Sequence, residues 1–351
     1  MKLIAIDLFS GCGGLTEGMH QADFKTEVAF EIDEIASKAY KLNHPETNII
    51  TKDIRQVSIK EVKEKLNGKT IHLLAGCPPC QGFSAIRRLN RITPIEDERN
   101  NLIMEYVRLV KALRPYTIMM ENVPGLVQYD LFKKAVKILT KELDYNIDYK
   151  VLNVKDYGVP QSRRRLVLVG SRLGKITVAE PTNDKQTVRS TIESLPLPEN
   201  STDPVHKVFP LHKPHIQKRI EMTPKNGGSR KDLPKEFSLK CHEAENVGFN
   251  DVYGRLRWDD CSTTITGGCL NPSKGRFLHP EQNRNISARE AALLQSFPID
   301  YKFPVDIPKT NLALMIGNAL PPKFSYYQSK NINLHLQQYL GVFRDIIPQT
   351  M

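Results

Sequence analysis

Residues 3–14 read Leu3-Ile-Ala-Ile-Asp-Leu-Phe-Ser-Gly-Cys-Gly-Gly14, and this stretch decides the fold class. Its first half is a short, mostly apolar run that is typical of a buried strand. Its second half is rich in glycine, which permits tight turning and a close approach of the backbone to a ligand. A helical pattern follows over residues 15–21. A strand, a glycine-rich turn and the start of a helix together predict a βα unit with a nucleotide-type site at the turn.

The same alternation continues along the first half of the chain. Apolar segments typical of buried strands occupy residues 27–31, 71–75, 117–121 and 166–170. Helical patterns lie at residues 34–42, 102–113 and 132–143. This alternation predicts an α/β fold with a doubly wound, mostly parallel sheet.

The character of the sequence changes at about residue 181. Prolines, glycines, histidines and basic residues interrupt any regular period over residues 181–277, and helical patterning returns at residues 287–295 and 322–339. We therefore predict a catalytic and cofactor-binding domain over residues 1–180, a second, smaller domain over residues 181–277, and a return to the first domain over residues 278–351.

The composition sets limits on the class of protein. A chain of 351 residues with 40% hydrophobic residues can bury a large core and a second lobe. The net charge of +11 is spread along the chain and suggests a polyanionic partner, although a solvated basic surface has the same composition. The amino terminus does not resemble a signal peptide, no apolar run suits a membrane span, and six cysteines do not form a disulfide framework. We expect a cytoplasmic monomer with reduced thiols and no membrane contact.

The glycine-rich turn differs from a dinucleotide fingerprint, because Thr16 stands where that pattern needs its third glycine. A tight turn without a ligand remains the alternative. Glu31-Ile-Asp33 follows the second predicted strand, about 20 residues after the turn, where a carboxylate can bind ribose hydroxyls. Asp53-Ile54 follows a third apolar segment and is a candidate contact to an adenine amino group.

Two thiols lie in the loop Gly76-Cys-Pro-Pro-Cys80-Gln-Gly-Phe-Ser84, directly after a predicted strand. A redox pair or half of a zinc site is one interpretation, but the chain has no second Cys-x-x-Cys pair that would complete a zinc site. Two buried structural cysteines are another, which the surrounding loop residues disfavour. The third is a single nucleophilic thiolate.

Charged residues end two further strands. Glu121 follows an apolar strand, where poor solvation would raise its pKa and make it a proton donor near neutrality; a capping or salt-bridged glutamate is the alternative. In Gln161-Ser-Arg-Arg-Arg165, Arg163 and Arg165 point to one face of an extended segment and Arg164 to the other. By themselves these arginines suit a solvated strand end equally well.

Taken in order, the segments DLFSGCGG, GCPPCQGFS, ENV, QSRRR, RNISAREAALLQSFP and GNALPP resemble the bacterial DNA cytosine-5 methyltransferase family. The resemblance covers residues 3–180 and 255–340. It implies the Rossmann-like fold of S-adenosylmethionine-dependent methyltransferases, joined to a target-recognition domain that would correspond to residues 181–277.

The resemblance also implies roles for individual residues. Cys80 is the nucleophile, Glu121 binds the base, and Arg163 and Arg165 match arginines that contact the flipped cytosine and the catalytic carboxylate. Cys77 stands where Gly or Phe is commoner and is a bystander. The residues that would surround S-adenosylmethionine are Phe9, Gly11, Gly13, Glu31, Ile32, Asp53, Ile54, Pro79, Leu102 and Asn318. No metal is expected.

The implied reaction needs a thiolate, because carbon 5 of cytosine is too poor a nucleophile to take a methyl group from a sulfonium. A thiolate adding at C6 supplies electron density, and Glu121 stabilises the adduct at N3. The target base must be flipped out of duplex DNA. An arginine-rich loop over residues 81–98 is a candidate lid, with an exposed solvated loop as the alternative. The candidate DNA contacts are Gln81, Ser84, Arg87, Gly228, Arg230, Thr264 and Ile265.

We therefore predict a DNA cytosine-5 methyltransferase that acts on double-stranded DNA within a restriction-modification system and has a separately encoded restriction endonuclease as its partner. A tRNA cytosine-5 methyltransferase with the same catalytic domain is one alternative, and a catalytically silent DNA-binding relative is another.

Overall fold

The computed structural model describes residues 2–79, 101–182, 184–237 and 251–341. Within these ranges one seven-stranded sheet has the order β3-β2-β1-β4-β5-β7-β6. Its strands are β1 Leu3–Leu8, β2 Phe24–Phe30, β3 Asn48–Ile50, β4 Leu73–Gly76, β5 Thr117–Asn122, β6 Asn146–Asn153 and β7 Arg164–Ser171. The first five strands are parallel, and β7 is antiparallel to both of its neighbours. The predicted α/β fold with a mostly parallel sheet is confirmed.

Helices cover both faces of this sheet. The described helices are α1 Gly14–Gln21, α2 Glu34–Asn43, α3 Ile59–Leu66, α4 Leu102–Leu113, α5 Asp130–Lys141, α6 Val188–Ile192, α7 Pro214–Met222, α8 Ala288–Leu294, α9 Lys309–Asn318 and α10 Pro322–Leu340. Side chains alternate along β1, so that Ile6 packs with α3, α4 and α5, whereas Ala5 packs with α1 and α10. This two-sided burial explains why the central strands are almost continuously apolar.

The register of the sheet brings distant strand ends to one edge. Asp7 of β1 lies beside Ala75 of β4, and Met119 of β5 lies beside both Ala75 and Val169 of β7. Because β7 runs antiparallel, its amino end meets the carboxyl ends of β1, β4 and β5. Arg165 therefore reaches the same edge as Glu121.

Several elements were not predicted from the sequence. Strand β6 lies at the edge of the sheet and is only partly buried, so its residues lack a clean apolar pattern. Helix α3 has a narrow apolar stripe at Ile59, Val62 and Leu66 between charged residues. Helix α9 was also missed. The predicted elements agree with the observed ones to within a few residues, and α4 matches at both ends.

A third apolar cluster lies outside the sheet. It joins residues from the 181–277 segment, such as Trp258 and Ile265, to residues of α8 and α9, and it also includes Cys12 of the glycine-rich turn. The described part of the 181–277 segment has short helices and isolated bridges in place of a sheet. No helix in the described ranges is long and apolar enough to cross a membrane.

Candidate active site

The glycine-rich turn after β1 has a left-handed backbone at several positions. Phe9, Gly11 and Gly13 have φ angles of 61°, 55° and 99°. A Cβ on Gly11 would meet no atom within 4 Å, whereas one on Gly13 would lie 2.8 Å from Nε2 of His44. Gly11 therefore leaves space on the open side of the turn, and Gly13 allows the turn to pack closely against the protein behind it.

Glu31 binds the turn from the neighbouring strand β2. Its Oε2 accepts a hydrogen bond from the Gly11 N–H at 2.7 Å, and its Oε1 accepts one from the Asp33 N–H at 2.8 Å. Burial raises the pKa of Glu31, although these two N–H groups oppose the shift. Ile32 beside it is 63% exposed. A half-buried carboxylate beside an exposed apolar side chain suits a nucleoside, whose ribose is polar and whose base is flat and apolar.

Asp53 and Ile54 lie after β3. Both carboxylate oxygens of Asp53 accept hydrogen bonds from the Arg55 side chain, which also hold the pKa of Asp53 below its usual value. A contact from Asp53 to an adenine amino group would therefore be shared with Arg55. The Ile54 side chain is buried in the core. Leu102, at the start of α4, packs against the same cluster as Phe9.

The late Gly-Asn-Ala-Leu motif lies against the cofactor turn. A Cβ on Gly14 would overlap the carbonyl oxygen of Leu320, so the two segments touch through their backbones. Asn318 is the last residue of α9 and is exposed. The structure thus brings the two residues after Asn318 to the glycine-rich turn.

Two residues behind this turn were not predicted from the sequence. The Tyr301 hydroxyl donates to the Cys12 carbonyl at 2.5 Å and lies 3.3 Å from Nε2 of His44. Both side chains are buried. Burial lowers the pKa of His44 to about 3, so the imidazole is neutral at ordinary pH. The proximity of Tyr301 to the turn, across 289 positions of sequence, had no local signal.

The thiol loop is held to the end of β5. The Asn122 side-chain amide donates to the Pro78 carbonyl at 2.8 Å, which anchors the backbone directly before Pro79. Burial raises the pKa of the Cys77 thiol well above its ordinary value, and the negative charges of Glu121 and Asp7 add to the shift. The Cys77 thiol is therefore held in its protonated form; its bystander role stays a prediction. Cys80 lies outside the described residues.

Glu121 and Arg165 form an ion pair at this edge of the sheet. Arg165 Nε lies 2.8 Å from Glu121 Oε1, and the two side chains are only 16% and 11% exposed. The rigid guanidinium takes one carboxylate oxygen and so restricts the orientation of the carboxyl group. Both β5 and β7 have a neighbouring strand on each side, so the sheet holds the backbone of Glu121 and Arg165 in place before any ligand binds.

Arg163 has different partners from Arg165. Its Nη1 donates to the carbonyl oxygens of Ile265 and Gly317, both at 2.9 Å. Burial lowers the pKa of its guanidinium well below the ordinary value, and the positive charge of Arg165 adds to this. The structure therefore brings Arg165 to the carboxylate, whereas Arg163 connects β7 to the segments around Ile265 and Gly317.

The candidate DNA contacts lie in different environments. The Thr264 hydroxyl donates to the Ser162 carbonyl, and Ile265 is fully buried. Gly228 packs so closely on the Pro224 carbonyl that a Cβ would overlap it. Arg230, partly buried, begins a short 3-10 helix. Gln81, Ser84 and Arg87 lie outside the described residues.

In the described part of the chain, no group of three or more His, Cys, Asp or Glu side chains could hold a metal ion.

Comparisons with known proteins identify the family of the chain. The family model of the C-5 cytosine-specific DNA methylases matches residues 3–333. The Type II methylase M.HgiDII of Herpetosiphon aurantiacus is 34% identical, with 95% of each chain covered. The Type II methyltransferase M1.HphI of Haemophilus parahaemolyticus is also 34% identical, over 92% of this chain and 84% of that one.

Solved structures extend the likeness to the fold. A candidate DNA modification methyltransferase encoded within an E. coli prophage has a TM-score of 0.70 and 26% identity, with 97% of this chain and 100% of that chain covered. Spodoptera frugiperda DNMT2, at 18% identity, 94% and 99% coverage and a TM-score of 0.66, shares the fold. The chain therefore belongs to the C-5 cytosine-specific DNA methylase family, which makes it an enzyme of the DNA cytosine-5 methyltransferase class and confirms the resemblance.

Proposed function

We propose that this enzyme methylates carbon 5 of a flipped cytosine within a specific duplex DNA sequence, through a covalent bond between Cys80 and C6 of the base. The observation that carries the proposal is the Glu121–Arg165 pair, at 2.8 Å, on the sheet edge where the thiol loop begins. A carboxyl group and a guanidinium fixed at such an edge suit the polar rim of a pyrimidine.

The cofactor side of the site fits S-adenosylmethionine. The Glu31 carboxylate would accept hydrogen bonds from the ribose hydroxyls, and exposed Ile32 and partly buried Phe9 would contact the adenine ring. Asn318 and the N–H groups of the glycine-rich turn would bind the amino-acid end. When bound, S-adenosylmethionine would supply an electrophilic methyl group attached to a sulfonium sulfur, and S-adenosylhomocysteine would be left after the transfer.

On the substrate side, each residue performs one step. The Cys80 thiolate forms a bond to C6, and Glu121 hydrogen-bonds or protonates N3, which takes up the displaced electron pair. Carbon 5 then has the electron density to accept a methyl group. Loss of the C5 proton restores the C5–C6 double bond, expels Cys80 as a thiolate and returns the N3 proton. Arg165 holds Glu121 in place throughout.

DNA recognition is assigned to residues 181–277, with Gly228, Arg230, Thr264 and Ile265 as candidate contacts and Gln81, Ser84 and Arg87 on the loop after Cys80. Because the Ile265 side chain is buried and its backbone N–H and carbonyl bond to Gln161 and Arg163, its neighbours in the segment would face DNA in its place. We also propose that the enzyme works as a monomer in the cytoplasm, and that it is the modification partner of a separately encoded restriction endonuclease. The Type II names of its relatives support the last point.

The test is bisulfite sequencing of plasmid DNA from a bacterial host that expresses the protein. We expect protected cytosines at one position of a single short recurring sequence, and none in plasmid from the same host with an empty vector. A plasmid that is fully converted in both hosts, while the protein is soluble and abundant, would contradict the proposal.

Replacing Glu31 with alanine should weaken S-adenosylmethionine binding by about 10- to 100-fold, since a hydrogen-bonded carboxylate is lost. Because burial raises the pKa of Glu31, the wild-type affinity should fall as the pH decreases through that pKa and the carboxylate becomes protonated. Titration calorimetry at several pH values measures both effects. Glu17→Ala is the control, because Glu17 lies in the same βα unit but bonds to Gln21. Equal affinities for wild type and Glu31→Ala would refute the ribose contact.

A further inference from the structure

Residues 160–163, directly before β7, pair with residues 262–266, which we call the recognition segment because they include the candidate DNA contacts Thr264 and Ile265. The Ser162 N–H donates to the Ser262 carbonyl at 2.8 Å, and the Ser262 N–H donates to the Pro160 carbonyl at 2.9 Å. The Thr264 hydroxyl adds a bond of 2.8 Å to the Ser162 carbonyl. These bonds make a short parallel pairing between residues 160–163 and 262–265, which lie about a hundred positions apart in the sequence.

The Gln161 side chain extends this pairing into the interior. It is fully buried, its Oε1 accepts from the Ile265 N–H at 2.7 Å, and its Nε2 donates to Gln295 Oε1 at 2.7 Å. The Gln295 amide in turn donates to the Ile316 carbonyl at 2.7 Å. Two glutamine side chains thus connect the recognition segment, α8 and α9. Since a buried amide without its partners is costly, this network has one preferred arrangement.

Arg163 and Arg165, two and four positions after Gln161, extend this network to the Glu121 carboxylate. Arg163 donates to the carbonyls of Ile265 and Gly317. Gly317 has no room for a Cβ against the Thr266–Gly267 backbone, and Asn318, a candidate cofactor contact, follows it. Arg165 lies on the same face of the extended strand as Arg163 and holds Glu121. A displacement of the recognition segment would therefore be transmitted to the carboxylate through Gln161 and β7.

We propose that Gln161 is a positioning residue that couples DNA recognition to methyl transfer, by keeping residues 262–266 in register with Arg165 and Glu121. The inference rests on the proposed function and deepens it. A DNA site that displaces the recognition segment moves the ion pair away from its reactive position. Discrimination between sites then occurs in the chemical step as well as in binding.

The test compares Gln161→Met with Gln328→Met. Gln328 is equally buried, on α10, and its Oε1 accepts a backbone N–H, that of Ala179, at 3.0 Å. Gln161→Met loses buried hydrogen bonds to two distant segments and Gln328→Met loses one to a single segment, so kcat is compared at a temperature at which both variants remain folded. For Gln161→Met alone we expect kcat on cognate DNA to fall about 10- to 100-fold, as for a misplaced reactive group.

Gln161→Met should also reduce the ratio of kcat for the cognate site to kcat for a site with one mismatch, while KM for S-adenosylmethionine stays within about twofold. If Gln161→Met matches Gln328→Met in kcat and in this ratio, the inference is wrong.

If Gln161→Met does not fold, a second pair of variants tests the coupling. Thr264→Val removes the hydrogen bond to the Ser162 carbonyl, and Thr264→Ser restores the hydroxyl that makes it. A loss of kcat and of the ratio in Val that Ser recovers, with KM for DNA within about twofold of wild type, supports the coupling; an unchanged Val variant, or a change in KM for DNA alone, overturns it. An inactive wild type would contradict the proposed function itself.

Discussion

Cys80→Ala is expected to abolish methyl transfer while S-adenosylmethionine still binds with nearly wild-type affinity. The thiol reacts with C6 of the base and does not hold the cofactor, so its removal leaves carbon 5 without the electron density that it needs. Cys77→Ala is the matched control from the same loop. It should remain active, because burial and the charges of Glu121 and Asp7 keep the Cys77 thiol protonated.

Transfer of a tritiated methyl group to DNA measures the activity of both variants. DNA that contains 5-fluorocytosine at the target position gives a second readout, because fluorine at C5 prevents the final elimination. Wild type and Cys77→Ala should form a covalent complex that survives denaturing gel electrophoresis, and Cys80→Ala should not. An active Cys80→Ala beside an inactive Cys77→Ala would reverse the assignment of the nucleophile.

Glu121→Gln has the second largest expected effect, a loss of kcat of about 10² to 10⁴-fold. The substitution keeps the size of the side chain and an oxygen that can accept from Arg165, so the ion pair becomes a hydrogen bond from the charged guanidinium to a neutral amide, and the strand ends need not move. What is lost is the ability to transfer a proton to N3. Single-turnover kinetics with saturating DNA and cofactor isolates this step.

Glu27→Gln is the control for Glu121→Gln. Glu27 lies on β2, its side chain is 7% exposed, and it accepts from Lys69 at 2.6 Å, so it too is a shielded glutamate paired with a cation. Its replacement should change kcat by less than about threefold, since it lies far from the chemistry in the fold. If Glu121→Gln also lowers kcat by less than about threefold, Glu121 has a structural role and does not transfer a proton.

The sequence predicted the parts of this protein that depend on local pattern. Apolar runs and glycine-rich turns located the central strands, and Glu31, the thiol loop and Glu121 each stand at or directly after the end of a predicted strand. The elements that it missed have a weaker pattern. Edge strand β6 buries little of either face, and α3 has mostly charged residues.

By itself, then, the sequence determined the fold class, the order of the motifs and the residue types that the chemistry requires, because these follow from periodicity and from side chains next to strand ends. Only the tertiary structure decided which groups these side chains bind. Arg163 and Arg165 look equivalent in the sequence, yet one bonds to carbonyls of Ile265 and Gly317 and the other to Glu121. The Gln161–Gln295 bond spans 134 positions. Such contacts depend on how separate segments pack, and no local period encodes that packing.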